Sequence, residues 1–170
     1  MSTSQRVLDS IRRIVRLLRE ESRASEESVG LSGAQLFVLQ KLDAAHPLSL
    51  NELAARTLTH QSSVSVVVSR LVERGLVQRR PAASDARRLE LLLTKRGQLL
   101  RDRAPSPSQD RVIDAVESLP DKQQRELAAA LEELVRALRL DARAATMLFA
   151  DVPPPRRRRA SRKRGNTRRA

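Results

Sequence analysis

A short basic stretch, SDARRLELLLT from Ser84 to Thr94, carries the side chains in this sequence that are best suited to chemistry. One acid and two arginines of this stretch, with two arginines that precede it, make up the candidate site: Asp85, Arg87, Arg88, Arg79 and Arg80. Guanidinium groups donate paired hydrogen bonds that match phosphate oxygens, and they stay charged at physiological pH. The stretch therefore predicts anion binding, with an ordinary exposed ion pair in a turn as the alternative.

A second candidate site is one face of a helix predicted over Gln61–Arg74. Apolar residues recur at helical spacing and assign the other face to the core: Val64, Val67, Val68, Leu71 and Val72. The candidate face is small, polar and free of acid until Glu73: Gln61, Ser62, Ser63, Ser65, Val66, Ser69 and Arg70. Serine hydroxyls can contact phosphates or base edges, and Val66 could meet a thymine methyl group. A solvated helix face is the alternative.

The charge of the chain favours a polyanionic partner. The 170 residues include 33 Lys and Arg against 20 acids, a formal net charge of +13. Nine of the basic residues and no acids lie at 153–170, so the rest of the chain carries only about +4. Only Phe37 and Phe149 are aromatic, which leaves almost no platform for stacking unpaired bases. Double-stranded DNA is therefore the expected partner.

Several classes of function lack the residues they need. The absence of cysteine excludes disulfides, thiol redox sensing and most structural zinc sites. His46 and His60 have no metal-ligand spacing, and the five glycines form no phosphate-binding loop. No carboxylate pair or histidine is set for acid–base chemistry, so we expect no enzyme activity, no catalytic residue, no cofactor and no metal. No apolar run matches a signal peptide or membrane span, and we expect a soluble intracellular protein without a membrane partner.

Helices are predicted on both sides of the candidate sites. Apolar spacing from Val7 to Leu18 indicates an amphipathic first helix, with SRASEESVG as its frayed end and a connection closing at Gly30. Ser32 can cap a second helix that His46 and Pro47 end. Its expected buried residues are Leu36, Phe37, Leu39 and Leu42.

The central part of the chain predicts a winged helix. Ser49 and Glu52 have capping-box spacing for a short helix through Arg56, and the TLTH turn separates it from the Gln61–Arg74 helix, which Gly75 stops. This arrangement indicates a helix-turn-helix. LVQRR and LELLLT then read as two strands joined by PAASDARR, with three leucines pointing inward: Leu89, Leu91 and Leu93. The expected fold is mainly α with a small β-hairpin wing.

Three connected motifs in this region resemble the MarR family of bacterial transcription regulators, over roughly residues 5–140. VSRLVERGLVQRR ends the helix-turn-helix, DARRLELLLT matches the family's D-x-R-x-x-x-L-x-L-T wing signature, and TKRG begins the next helix. Several winged-helix families share the first motif, whereas few share the second.

The resemblance implies a homodimer whose first and last helices intertwine, with two lobes reading the halves of a near-palindromic operator. In such proteins the arginine matching Arg87 enters the minor groove, and the acid matching Asp85 braces it. The implied function is sequence-specific binding of double-stranded DNA and repression by occupancy, in the bacterial cytoplasm on the nucleoid. A small-molecule effector of unknown identity could release the DNA. An architectural, nucleoid-type protein with little sequence specificity is the alternative.

The sequence departs from the family pattern at two places. In the turn of the helix-turn-helix, Leu58 replaces a common glycine and His60 replaces the usual hydroxyl cap, which leaves Thr59 as the expected cap. Further on, the APSPSQ stretch places two prolines inside what is commonly one long helix. We expect a kink or break there, with Ser106 and Gln109 starting the next helix.

Apolar stripes on the first and last helices exceed what a winged-helix lobe can cover. The predicted dimerisation residues are Val7, Ile11, Ile14, Leu18, Val112, Val116, Leu127, Leu131, Leu134 and Leu138. Burial against a second copy is the expected solution, and a monomeric helical cap is the alternative. We expect four regions: an amino-terminal dimerisation helix (1–29), the winged helix-turn-helix lobe (30–100), carboxy-terminal dimerisation helices (101–150) and a disordered arginine-rich tail (151–170). The tail could assist DNA binding, contact another acidic partner or remain a solvated extension.

Overall fold

The computed structural model describes residues 1–82, 85, 87–142 and 145–148, and these form seven helices and three short strands. In chain order they are α1 (Thr3–Val29), α2 (Gly33–Lys41), β1 (Leu48–Ser49), α3 (Leu50–Arg56), α4 (Gln61–Glu73), β2 (Val77–Pro81), β3 (Leu89–Leu93), α5 (Lys95–Arg103), α6 (Ser108–Glu117) and α7 (Asp121–Ala137). The mainly helical fold with a small β-wing is confirmed, although β1 was not predicted. Within the described residues, no helix has both the length and the apolar character needed to cross a bilayer.

The hydrophobic core surrounds α2, whose first seven residues are all buried. Side chains from α3, α4 and the sheet pack around it, and the predicted core positions of α2 are confirmed: Leu36, Phe37, Leu39 and Leu42. The predicted inner face of α4 is confirmed as well, with Val64, Val67, Val68 and Leu71 buried and Val72 partly buried against them. This packing determines which face of α4 is left for solvent or a ligand.

The three strands form an antiparallel sheet in the order β1-β3-β2. In the β2–β3 hairpin, Val77 pairs with Leu93 and Pro81 pairs with Leu89. Leu91 and Leu93 are buried as predicted, but Leu89 is 54% exposed, so its inward assignment is wrong. Leu89 lies at the far end of the hairpin, where alternation along the strand no longer meets the helices.

Helix α1 is longer than predicted, because SRASEESV continues the helix and only Gly30 ends it, with φ +68°. Two buried serines explain the extension. The Ser25 hydroxyl donates to the Leu31 carbonyl at 2.8 Å, and the Ser22 hydroxyl accepts from the Gly33 N–H at 3.1 Å. These hydrogen bonds join the end of α1 to the start of α2, a tertiary stabilisation that helix propensity does not report.

The predicted helix caps are confirmed at Ser32 and Ser49. Ser32 and Ser49 both form complete capping boxes with the residues three positions later. Helix α2 ends at Lys41, earlier than the predicted end at His46 and Pro47, because Leu42 turns extended and buries its side chain. The chain does break between α5 and α6, but Pro107 occupies the N-cap position, so the prediction that Ser106 caps α6 is wrong.

Candidate nucleic-acid interface

Helix α4 presents the polar face expected of a recognition helix. Gln61, Ser62 and Val66 are exposed, with Val66 at 46%, and the remaining predicted positions are partly exposed: Ser63, Ser65, Ser69 and Arg70. The Ser63 hydroxyl donates to the main-chain carbonyl of Ala145 at 3.0 Å, a contact that the sequence did not predict. The predicted face therefore exists, and the Ser63 hydroxyl on it already has a protein partner.

The turn before α4 holds an unusual backbone conformation. Leu58 has φ +50°, in the left-handed region that glycine adopts without penalty and that costs a leucine free energy. His60 is the N-cap of α4 but its side chain makes no capping hydrogen bond, and Thr59 does not replace it, so that prediction is wrong. The turn is held instead by Thr57, whose hydroxyl donates to the Leu53 carbonyl at 2.9 Å.

A hydrogen-bonded chain joins the wing to α4. Arg79, in β2, donates from Nη2 to the Ser69 hydroxyl at 3.0 Å, and Ser69 donates to the Ser65 carbonyl at 2.9 Å. A guanidinium is thereby held against the polar face of α4. The sequence named Arg79 and Ser69 in two separate candidate sites and did not predict this contact, since it depends on how the hairpin folds back after Gly75.

The other stem arginine, Arg80, is on the opposite face of the hairpin. Its Nε lies 3.6 Å from a carboxylate oxygen of Glu90, its register partner on β3. Because the Arg80 side chain is 52% exposed, water screens the pair, and the ion pair contributes at most about 1 kcal/mol. Arg80 therefore remains available to an anion that competes with Glu90.

Asp85 organises the backbone of the wing tip. Its carboxylate accepts from the Arg87 N–H at 2.9 Å, its carbonyl accepts from the Arg88 N–H at 2.9 Å, and the Ala82 N–H donates to the Arg88 carbonyl at 2.8 Å. An aspartate that accepts from the N–H two residues later is a common way to stabilise a turn. In the described part of the wing, no ion pair joins the Asp85 carboxylate to the Arg87 guanidinium. The bracing expected from the resemblance thus acts on the main chain here.

Arg87 and Arg88, at the tip of the wing, are both exposed, and the positive charge of Arg88 acts on the carboxylate of Glu52. The pKa of Glu52 lies below its ordinary value, first because its carboxylate is hydrogen-bonded by the Ser49 side chain and N–H, and further because Arg88 and Arg56 are positively charged nearby. The end of the wing that carries Arg88 is therefore close to the start of α3. The hydrogen bond between Arg79 and Ser69 brings the wing next to the polar face of α4.

The ten predicted dimerisation residues differ in their exposure in the single chain. Seven are exposed large apolar side chains in the single chain: Val7, Ile11, Ile14, Leu127, Leu131, Leu134 and Leu138. Val112 and Val116 are partly exposed. Leu18 is only 4% exposed, because it packs within its own chain, so its burial does not require a second copy.

A cavity of about 340 Å³ lies between α1, α2 and the α5–α6 break. Its lining includes Glu21, Leu36, Pro107 and Arg111. One Glu21 carboxylate oxygen pairs with Arg111, and the other is buried without a hydrogen-bond partner among the described residues. No cluster of acids and histidines in the described chain is arranged to hold a metal ion.

Known proteins share this sequence pattern and this fold. A MarR family model matches residues 29–88. The HTH-type transcriptional repressor MdtR of Bacillus subtilis is 31% identical over 90 residues, which are 53% of this chain and 58% of the repressor. The match thus spans less than two thirds of that relative's length.

Two solved structures illustrate the likeness of the fold. A mutant MarR from E. coli complexed with operator DNA has a TM-score of 0.52 at 21% identity, covering 81% of this chain and 99% of that one. BpsR of Bordetella bronchiseptica, in a structure concerned with regulation of its DNA binding by 6-hydroxynicotinic acid, has a TM-score of 0.51 at 21% identity, covering 78% and 92%. At these identities the likeness establishes the fold alone.

Proposed function

We propose that this chain is a winged helix-turn-helix transcriptional regulator of the MarR family and not an enzyme, and that it binds double-stranded DNA in a sequence-specific manner. In this proposal it represses by occupying a near-palindromic operator as a homodimer. The relative MdtR is named as a repressor, and the E. coli relative was captured on operator DNA, which supports this direction.

The hydrogen bond between Arg79 and Ser69 carries the proposal. It fixes a cation at the side of α4, where a helix lying in the major groove has the DNA backbone as its neighbour. The face it flanks is narrow, because its side chains are mostly serine, and close approach to base edges needs small residues. Phosphate contacts from Arg79 would set the register of α4, while Gln61, Ser62 and Val66 read base edges.

The wing supplies the second contact in this proposal. Arg87 and Arg88 are exposed at its tip, and the Asp85 turn fixes the backbone from which they extend. A guanidinium suits the narrow, electronegative minor groove of A·T-rich DNA. We assign Arg87 to the minor groove and Arg88 and Arg80 to phosphates on either side of it.

Dimerisation would complete the site. The exposed leucines of α7 and the apolar stripe of α1 are too many for a stable solvated surface, and a second copy would cover both. A twofold axis would then present two α4 helices to successive major grooves. The cavity beside Glu21 is the natural place for an effector, since a ligand there would contact both α1 and α2 and could favour one spacing of the lobes.

Competition binding tests the proposal. In the presence of a large excess of unrelated fragments, the purified chain should still retain DNA from its own upstream region. Its affinity for that region should exceed its affinity for unrelated DNA by orders of magnitude. The architectural alternative is favoured by the charge of +13 and predicts no such preference. Arg87→Ala should weaken operator binding by about 5-fold to 150-fold, corresponding to roughly 1–3 kcal/mol, without altering thermal unfolding.

An exposed arginine far from the site serves as the control. Arg125→Ala, on α7, should bind like the parent chain. Ser65 and Ser69 replaced by glutamate should abolish binding, since acids on this face would meet phosphates. Normal operator binding by the Arg87→Ala variant would show that the wing is not part of the interface.

A further inference from the structure

A four-residue segment beyond α7, Ala145–Leu148, docks on the winged-helix lobe. Met147 is 5% exposed and belongs to the main hydrophobic core. On either side of it, two main-chain carbonyls accept hydrogen bonds: Ala145 from the Ser63 hydroxyl of the lobe at 3.0 Å, and Leu148 from the Gln109 side-chain amide of α6 at 3.2 Å. We call Ala145–Leu148 the anchor segment. It has no helix or strand of its own, so these contacts determine its position.

The anchor segment lies in a cleft between the helix-turn-helix and α6. Residues of the α3–α4 turn form one wall, and Val112 and Ile113 of α6 form the other. Ser63 is the third residue of α4, so the segment reaches the amino end of the proposed recognition helix. A flexible methionine side chain is well suited to filling such an irregular apolar cleft.

The sequence that follows is the most basic part of the chain. Residues 153–170 contain nine Lys and Arg and no acid. Arg156, the first of these, is eight residues beyond Leu148 in the sequence, and a stretch of eight residues can span at most about 28 Å. A duplex DNA bound by α4 would be inside that range.

We propose that the anchor segment fixes the start of the arginine-rich segment (153–170) beside α4, so that both bind the backbone of the same DNA duplex. The inference rests on the DNA binding proposed above, and it assigns the arginine-rich segment one partner, the phosphates flanking the operator. In this proposal Met147 of the same chain fills the cleft. The docking of Met147 holds the positively charged segment 153–170 near the DNA.

Anchoring raises the effective concentration of the arginine-rich segment near DNA. Without it, the nearest fixed point is the end of α7 at Leu138, eighteen residues before Arg156. For a flexible chain the effective concentration falls as about the 3/2 power of length, so a change from eight to eighteen residues lowers it by about threefold. Each phosphate that the segment neutralises would also contribute about 0.9 to the slope of log affinity against log salt.

A double variant cycle tests the anchor. Met147→Asp should release the segment, because a carboxylate will not stay in an apolar cleft. The cycle places this change in the full chain and in a chain ending at Val152, which retains every residue that the structure describes. In the full chain it should weaken operator binding by about threefold, measured by fluorescence anisotropy. In the shorter chain it should have no effect, and Met147→Leu should be neutral in both.

Two outcomes would overturn the anchor proposal while leaving the proposed function intact. An equal loss from Met147→Asp in both chain lengths would show that Met147 only supports the lobe. An unchanged affinity and salt slope after removal of residues 153–170 would show that this segment does not contact DNA. Failure of the proposed function is distinguishable, because the shorter chain would then show no preference for its operator over random DNA.

The chain's methionine content allows a direct check of docking. With Met1 and Met147 as its only methionines, ¹³C-methyl labelling should give two NMR signals. Met1 is 86% exposed and serves as the internal reference for a solvated methyl group. Met147 should show a shifted signal that persists when DNA is added. A random-coil signal for Met147 in the full chain would contradict the anchor.

Discussion

Replacing Leu58 with glycine should make the turn before α4 more stable than replacing it with alanine. A non-glycine residue at φ +50° carries a cost of about 1–2 kcal/mol that glycine avoids. Glycine also gives the unfolded chain more freedom, which offsets about 0.4–1 kcal/mol of that gain. The glycine variant should therefore exceed the alanine variant in free energy of unfolding by about 1 kcal/mol.

The alanine variant removes the contribution of the leucine side chain from the comparison. Leu58 is 69% exposed, so truncation loses roughly a third of the 1.5–3 kcal/mol of a fully buried leucine, or about 0.5–1 kcal/mol, in both variants. For a chain of this size, 1 kcal/mol separates two midpoints by about 2–4 °C. Circular dichroism melts and urea titrations at equal protein concentration would resolve the difference.

A neighbouring helical position provides the matched control. Ala55 is exposed in α3, and Ala55→Gly should destabilise by about 1 kcal/mol, the reverse of the order at position 58. If the alanine variant at Leu58 proved as stable as the glycine variant, the left-handed backbone of this turn would be refuted.

Three further changes have results that the structure specifies. Gly97→Ala would place its Cβ 2.0 Å from the carbonyl oxygen just before β2 and should cost about 3 kcal/mol in urea unfolding, whereas Gly75→Ala, with open space around it and φ +68°, should cost only about 1 kcal/mol. Because the pKa of Glu52 in the folded chain lies below its ordinary value of 4.5, the ionised carboxylate stabilises the fold above pH 4.5, and this stabilisation is lost as the pH falls below that value. Glu52→Gln should therefore reduce the fall of the urea midpoint with decreasing pH. If the fall were unchanged in this variant, Glu52 would not be its source. Leu131→Asp should shift the chain from dimer to monomer in analytical ultracentrifugation, while Arg125→Asp on the opposite face of α7 should not; a dimeric Leu131→Asp variant would remove α7 from the interface.

Features determined by neighbouring residues were predictable from the sequence. The capping boxes at Ser32 and Ser49 depend on contacts three residues apart, and the core face of α4 depends on helical period. The residues of the DNA-binding candidate site were named for the same reason, since a polar face and a basic turn are local patterns. Their role in binding remains a prediction.

Features determined by distant contacts were missed. Ser22 and Ser25 look like residues of a frayed end, but the Ser22 hydroxyl accepts from the Gly33 N–H and the Ser25 hydroxyl donates to the Leu31 carbonyl. Thr59 looks like a cap, but Leu58 before it adopts a left-handed backbone. Met147 gives no signal of its burial, because one methionine without apolar periodicity around it resembles any loop residue. Each of these errors reflects a tertiary contact that overrides a local preference.

The hydrogen bonds of Ser22 and Ser25 couple the tilt of the long helix α1 to the position of α2. At 1.5 Å per residue its 27 residues measure about 40 Å, so a tilt of about 5° at one end displaces the other by roughly 3.5 Å. Because Ser22 and Ser25 hydrogen-bond the carboxy-terminal end of α1 to the start of α2, α2 moves together with that end of α1. Helix α4 packs directly on α2. In the proposed dimer, small changes in how two copies meet along α1 would thus be amplified into the distance between the two proposed DNA-binding surfaces.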